Sequence, residues 1–152
     1  MQRVRELFAD YSEHHRTPGN KWCHRVGIPA IMLSLLGMLA RVTLWPGDPL
    51  RIDAAMVLIA LTAVFYLRLD PILGSLMVLV SIAFYFAGAW LPMSVNIALF
   101  VGGWILQFIG HSAFEKRQPA FLQNLVHLLV GPLWLLNSLI APLRGKPASA
   151  ST

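Results

Sequence analysis

Apolar positions along the chain fall into long runs separated by short polar segments, which is the pattern of a helical membrane protein. The runs cover residues 26–45, 52–69, 72–91, 95–115 and 121–140. Each approaches the roughly 20 residues that a helix needs to cross a bilayer at about 1.5 Å per residue. The links at 68–71 and 92–94 suffice only for tight reversals. The pattern predicts one all-α membrane domain over residues 1–152, an integral helical bundle of four to five helices.

The two ends of the chain depart from this pattern. Near the amino terminus, apolar side chains recur at helical spacing among charged ones, at Val4, Leu7, Phe8 and Tyr11. This spacing predicts an amphipathic helix over residues 1–15 that lies in the membrane interface. The last apolar run is interrupted by Gly131-Pro132, so it can cross the bilayer, bend back or lie flat. Residues 144–152 are rich in Ala, Ser and Pro, which predicts a disordered tail.

Charge supports a membrane location and predicts an orientation. Charged residues are 12% of the chain, against about 25% in soluble domains. The net charge of +5 is compatible with nucleic-acid binding. The basic residues lie beside apolar runs, however, which indicates that they set the orientation in the membrane and contact anionic lipid. One side of the predicted bundle carries Arg3, Arg5, Arg16, Lys21, Arg25, Arg68, Lys116 and Arg117, and the other carries Arg41 and Arg51. The amino terminus is therefore predicted to be cytoplasmic.

Two polar segments interrupt the apolar scaffold and contain the candidate chemistry. The first, YSEHHRTPGNKWCHRVGIP over residues 11–29, holds His14, His15 and His24, and the second, HSAFEKRQP over residues 111–119, holds His111. An even number of predicted spans separates the segments, so both fall on the cytoplasmic face. Neutral imidazole is a common ligand of iron, zinc, copper and nickel. We therefore interpret the two segments together as a metal site.

Each candidate ligand has a plainer interpretation. His14 and His15 diverge by about 100° on a regular helix, so both can bind one metal only if the helix frays near Arg16. His24 can be an ordinary interfacial histidine. Gln107, His111 and Glu115 fall at i, i+4 and i+8 in an apolar run, and a polar stripe facing lipid is costly. That stripe should face the bundle, either as a metal ligand or as a hydrogen-bonded seam between helices.

Neighbouring polar residues complete the candidate site. Glu115 and Asn20 are the candidate catalytic residues, and together with Gln107 and Glu13 they can hold the second nitrogen of a ligating histidine. Lys116 and Arg117 follow the topology rule and are also candidate binding residues for a fatty-acid carboxylate. His127 is interpreted as a packing or interface residue. A nucleophilic Cys23 beside His24 is disfavoured, because sequence neighbours on a helix point apart.

The motif HHRTPGNKWCHRVGIP, followed much later by WILQFIGHSAFEKRQPAFLQNLV, resembles the Mpo1-like family of small multi-helix membrane proteins. The resemblance runs over essentially the whole chain in the same order. It implies an iron(II)-dependent dioxygenase that uses O2 to shorten 2-hydroxy fatty acids by one carbon, a step of fatty acid α-oxidation, which in fungi takes place in the endoplasmic reticulum. The matching positions are His14, His15, Asn20, His24, His111 and Glu115, with Lys116 and Arg117 beside them.

From the residues and the resemblance together, we expect Fe(2+) held by three or four of His14, His15, His24 and His111. We expect a location in a bacterial inner membrane, or in the endoplasmic reticulum if the source is eukaryotic, with the histidines facing the cytoplasm. Two other classes stay open. A b-type haem protein would use two of the histidines as axial ligands, and a lipid-binding or assembly protein would need no metal.

Overall fold

The computed structural model describes residues 2–48, 51–116 and 125–141 of the chain. Its elements in chain order are helix α1 (Gln2–Glu13), helix α2 (Pro18–Leu39), strands β1 (Thr43–Trp45) and β2 (Ile52–Asp53), helices α3 (Ala54–Leu69), α4 (Pro71–Trp90) and α5 (Met93–Ile109), a π-helical turn (Gly110–Glu115) and helix α6 (Val126–Ile140). The two short strands form an antiparallel hairpin between α2 and α3. The predicted all-α class is confirmed.

Within the described ranges, three helices are long and apolar enough to cross a membrane, namely Pro18–Leu39, Pro71–Trp90 and Met93–Glu115. Helices α3 and α6 are apolar but shorter, and α6 continues through Gly131 and Pro132 without a break. The bundle of four to five helices and the interfacial position of α1 stay predictions. The predicted tail at 144–152 and the start of the last apolar run at 121–124 lie outside the described residues.

The first long helix is placed differently from its prediction over 26–45. It begins at Pro18, because Thr17 caps it and proline is favoured in the first helical position. It ends at Leu39, and residues 43–45 form strand β1. The Arg41 guanidinium donates to backbone carbonyls of Gly37, Ala89 and Leu91, which satisfies free carbonyls at the ends of two helices.

Helix α2 is the central helix of the bundle and packs against α5 and α4. A Cβ atom on Gly110 would lie 2.4 Å from Asn20 Oδ1, and one on Gly27 would lie 2.9 Å from the Gly103 carbonyl oxygen, so α2 and α5 run antiparallel in close contact. Helices α4 and α5 are joined by a tight reversal. Helix α4 therefore runs in the same direction as α2.

One end of the bundle collects the start of α2, the end of α5 and the end of α1. Helix α1 packs against α6, where the Trp134 indole N–H donates to Ser12 Oγ over 3.0 Å. Buried apolar side chains from α1, α3, α4 and α6 form a core beside it, at Val4, Tyr66, Leu73, Met77 and Leu133. We call this end the histidine end, because the candidate ligands lie there.

Candidate metal centre

His15 is placed by the end of helix α1. The helix ends at Glu13 and the chain turns, with the His15 backbone N–H donating to the Ser12 carbonyl over 3.1 Å. The imidazole Nδ1–H donates to the Tyr11 carbonyl over 2.6 Å, and the ring stacks on the Tyr11 ring at 4.0 Å between centroids. His15 is 2% exposed. Its orientation is therefore fixed by one hydrogen bond and one aromatic contact.

His24 is placed by the first turns of α2 and faces His15. Its Nδ1–H donates to the Asn20 carbonyl over 3.0 Å, and the side chain is buried. The Nε2 atoms of His15 and His24 are 3.0 Å apart. Both imidazoles therefore direct their second nitrogen to the same point.

His111 closes the group from the opposite helix. It lies in the π-helical turn that ends α5 and is 2% exposed, with its ring centroid 4.8 Å from that of His15 and 4.9 Å from that of His24. One ligand atom from each of these three histidines lies within 4.8 Å of the others. The buried His111 Nδ1 has no hydrogen-bond partner among the described residues. Short π-helical turns are frequent at functional sites.

The donor set fits a metal ion. Because His15 and His24 each donate their Nδ1–H to a carbonyl, the neutral rings present unprotonated Nε2 atoms, and two such lone pairs 3.0 Å apart repel each other. Burial, with the neighbouring His24, lowers the pKa of His15 to about 2, so its ring is neutral near pH 7. Nitrogens each bound about 2.1 Å from one cation lie at most about 4 Å apart, so the 3.0 Å distance allows both to hold the same ion. A cation thus turns the repulsion into attraction.

Glu115 and Asn20 connect the two halves of the group. Glu115 Oε1 accepts hydrogen bonds from the Thr17 backbone N–H over 2.8 Å, from Thr17 Oγ1 over 2.9 Å and from Asn20 Nδ2 over 3.2 Å. The carboxylate therefore caps the amino terminus of α2, where negative charge is favourable, and ties the turn bearing His111 to the helix bearing His24. Through these hydrogen bonds, Glu115 and Asn20 position His111 relative to His24. Their catalytic role stays a prediction.

Replacing Glu115 by alanine should weaken metal binding without removing a ligand. Loss of the carboxylate frees the π-helical turn from Thr17 and Asn20, so we expect the dissociation constant for the metal to rise on the order of tenfold. Glu115→Gln keeps a carbonyl oxygen as acceptor and should lose less. Metal titration of both purified variants checks this, and equal affinity for wild type and Glu115→Ala contradicts it.

The other predicted site residues lie outside the group of three. His14 is half-buried, and its Nδ1–H donates to the Asp10 carbonyl over 3.0 Å. Lys116 is exposed, and its left-handed backbone ends the helix with its N–H bonded to the His111 carbonyl. Arg117 lies outside the described residues. The ligand role of His14 and the substrate role of Lys116 and Arg117 stay predictions.

An apolar cavity of about 300 Å³ adjoins the site, and the sequence did not reveal it. His15 and His24 line it, and along α2 it continues to Leu36. The twelve residues from His24 to Leu36 span about 18 Å of helix. Tyr11 and His127 also line the cavity, although neither was predicted as a site residue. A polar residue in an otherwise apolar run was the available signal for His127.

Comparison with known proteins identifies a family for this chain. A family model described as "2-hydroxy-palmitic acid dioxygenase Mpo1-like" matches residues 1–143. The chain is 30% identical over 150 residues to the Saccharomyces cerevisiae protein named 2-hydroxy-palmitic acid dioxygenase MPO1, covering 98% of this chain and 86% of the yeast protein. No solved structure matches. The match over residues 1–143 and this identity show that the chain belongs to the Mpo1-like family.

Proposed function

We propose that this protein is an iron(II)-dependent dioxygenase that cleaves the C1–C2 bond of long-chain 2-hydroxy fatty acids and releases the acid one carbon shorter. Family membership and the name of the yeast relative support the substrate class. The observation that carries the proposal is the 3.0 Å distance between the Nε2 atoms of His15 and His24, beside a third buried histidine. A metal ion shared by these nitrogens would make that arrangement favourable.

The donor set and the reaction together favour iron. Zinc has no redox chemistry of its own, whereas imidazole nitrogens also suit iron, and three of them leave coordination positions open. When bound, iron(II) supplies the electron transfer to O2 and holds the 2-hydroxy acid group. We assign His15, His24 and His111 as its ligands. His14 is the further candidate that the sequence offered.

The cavity suits the alkyl chain of such a substrate. Its wall is largely apolar along α2, α3 and α6, and its volume lies at the lower end of the range for ligand pockets. Burial of the chain excludes water from the reacting carbons. Because His15 and His24 lie on the same wall, an acid with its chain in the cavity has its polar end at the histidines.

Gln107 is the donor available to the substrate carboxylate. It lies one helical turn before His111, lines the cavity and is 5% exposed, and its Nε2 has no hydrogen-bond partner among the residues described. A buried donor without a partner is costly, and a bound carboxylate would satisfy it. We propose that Lys116, which is exposed, and its sequence neighbour Arg117 attract the anionic acid before it enters. The charge pattern supports a cytoplasmic position for this end.

The overall reaction balances without a further cosubstrate. A 2-hydroxy acid and O2 give the acid one carbon shorter, CO2 and water, and the electrons lost by C1 and C2 equal those gained by O2.

A haem bound axially by His15 and His24 is disfavoured, because axial nitrogens lie on opposite sides of the iron, about 4 Å apart, and these two are 3.0 Å apart.

Reconstitution with iron(II) tests the proposal. The purified protein in detergent, supplied with iron(II), O2 and 2-hydroxy-palmitate, should release the shortened acid with matching O2 consumption, measured by mass spectrometry and an oxygen electrode. Palmitate should not react, and chelator-treated or zinc-loaded protein should be inactive. Elemental analysis should find non-haem iron bound. An iron-loaded protein that leaves 2-hydroxy-palmitate unshortened overturns the proposal.

A further inference from the structure

His127 is a second buried polar group on the cavity wall, outside the group of three ligands. Its Nε2 lies 2.9 Å from Asp10 Oδ2, which joins α6 to α1 across the histidine end. The side chain is 6% exposed and lines the cavity. Its other ring nitrogen, Nδ1, is buried and has no hydrogen-bond partner within the described part of the chain.

The hydrogen bond to Asp10 determines whether the second ring nitrogen of His127 is a donor or an acceptor. A carboxylate can only accept a hydrogen bond, so Asp10 holds the proton of the neutral ring on Nε2. This leaves Nδ1 as an acceptor, and an aspartate that fixes a histidine tautomer in this way is a recurring arrangement. Leaving a buried acceptor unpaired is unfavourable. The site therefore suits a ligand that brings an O–H or N–H group.

We propose that His127 Nδ1 accepts a hydrogen bond from the 2-hydroxyl of the substrate, which makes the Asp10–His127 pair a specificity determinant. The inference rests on the proposed function. A 2-hydroxy acid presents one neutral donor at its polar end, the 2-hydroxyl. Its carboxylate is an acceptor and is repelled by the negative charge of Asp10. A 2-oxo acid presents only acceptors there, and an unsubstituted acid presents no group at C2.

Replacing Asp10 by asparagine should release the constraint on the His127 tautomer. The introduced side-chain amide can donate to Nε2 as well as accept from it, so the ring proton is no longer held on Nε2 and Nδ1 can carry it as a donor. Wild type should bind 2-hydroxy-palmitate more tightly than 2-oxo-palmitate, and Asp10→Asn should reduce that ratio of dissociation constants by on the order of tenfold, equivalent to one hydrogen bond. His127→Phe, which has no ring nitrogen, should also lower the ratio.

Binding to zinc-loaded protein measures this without turnover, because zinc is redox-inert. Dissociation constants for 2-hydroxy-palmitate, 2-oxo-palmitate and palmitate are measured by calorimetry on the full chain in detergent. Glu6→Gln is the matched control, because it makes the same change from carboxylate to amide at an exposed position of α1. It should leave the ratio unchanged. Circular dichroism confirms that each variant is folded.

The outcomes separate this inference from the proposed function. If wild type binds none of the three acids, both fail. If wild type prefers the 2-hydroxy acid and His127→Phe keeps the same ratio, the inference fails and the proposed function stands. A loss of affinity by the same factor for all three acids identifies a purely structural role of the pair and also overturns the inference. A selective change in the ratio supports it.

Discussion

Replacing His24 by alanine is expected to abolish stoichiometric metal binding and turnover. His24 supplies one of the two Nε2 atoms that lie 3.0 Å apart, and the remaining pair, His15 and His111, offers only two nitrogens to an ion. Removing a residue that merely orients a ligand costs up to about a hundredfold in metal affinity, so removing the ligand itself should cost more. Iron content by elemental analysis and the rate of shortening of 2-hydroxy-palmitate measure the effect.

The adjacent pair His14 and His15 provides a matched comparison for this result. Both side chains are imidazoles at the end of α1, but His15 points to His24 whereas His14 bonds to the Asp10 carbonyl. We expect His15→Ala to lose the metal as His24→Ala does, and His14→Ala to keep it. Loss of metal in both variants would establish a set of four ligands. Stoichiometric iron binding by the His24→Ala variant would contradict the proposed metal site.

The meeting of the two polar segments could be predicted from the sequence. Gln107 and His111 are polar residues in an otherwise apolar run, so the cost of exposing them to lipid indicated that they face the bundle. Both are buried there, and His111 contacts His15 and His24. The links between the apolar runs are short, and an even number of runs separates the two polar segments. The sequence therefore predicted both polar segments at the same end. These arguments use only length, polarity and chain direction.

Which of the two adjacent histidines joins the buried group could not be predicted in the same way. Whether His14 or His15 faces the bundle depends on the residue at which α1 ends, and helix ends cannot be read from a pattern to better than a residue or two. The π-helical turn at Gly110–Glu115 also leaves no mark in apolar periodicity, although it changes the direction of Glu115 relative to His111. The predicted single face for Gln107, His111 and Glu115 assumed a regular α-helix.

The Asp10–His127 pair could not be predicted from the sequence, for a different reason. Its members are 117 residues apart, and each has an ordinary interpretation, a charged residue on an amphipathic helix and a histidine in an apolar run. Only the packing of α1 on α6 brings them together. Long-range polar pairs of this kind require the fold, whereas the local spacing of apolar residues requires only the chain.

Replacing Ser81 by phenylalanine is expected to convert the protein to a short-chain enzyme. Ser81 lines the cavity from α4 and is buried. Helices α2 and α4 run in the same direction, and a Cβ on Gly37 would lie 2.5 Å from the Gly88 carbonyl oxygen, so these glycines lie at one level. His24 is thirteen residues, or about 20 Å, before that level, and Ser81 is seven residues, or about 10 Å, before it. A phenyl ring at Ser81 therefore obstructs the cavity about midway.

This obstruction should leave the histidine end unchanged and shorten the space for the alkyl chain. We expect turnover of 2-hydroxy-palmitate to fall by on the order of a hundredfold, while a 2-hydroxy acid with half the chain length retains most of its rate and iron content is unchanged. Ser75→Phe is the matched control, because it makes the same change on an exposed face of α4, and thermal unfolding of both variants measures any cost of overpacking. If Ser81→Phe slows both acids equally, or neither of them, the alkyl chain does not occupy this cavity, because only a chain that passes Ser81 can make the effect depend on its length.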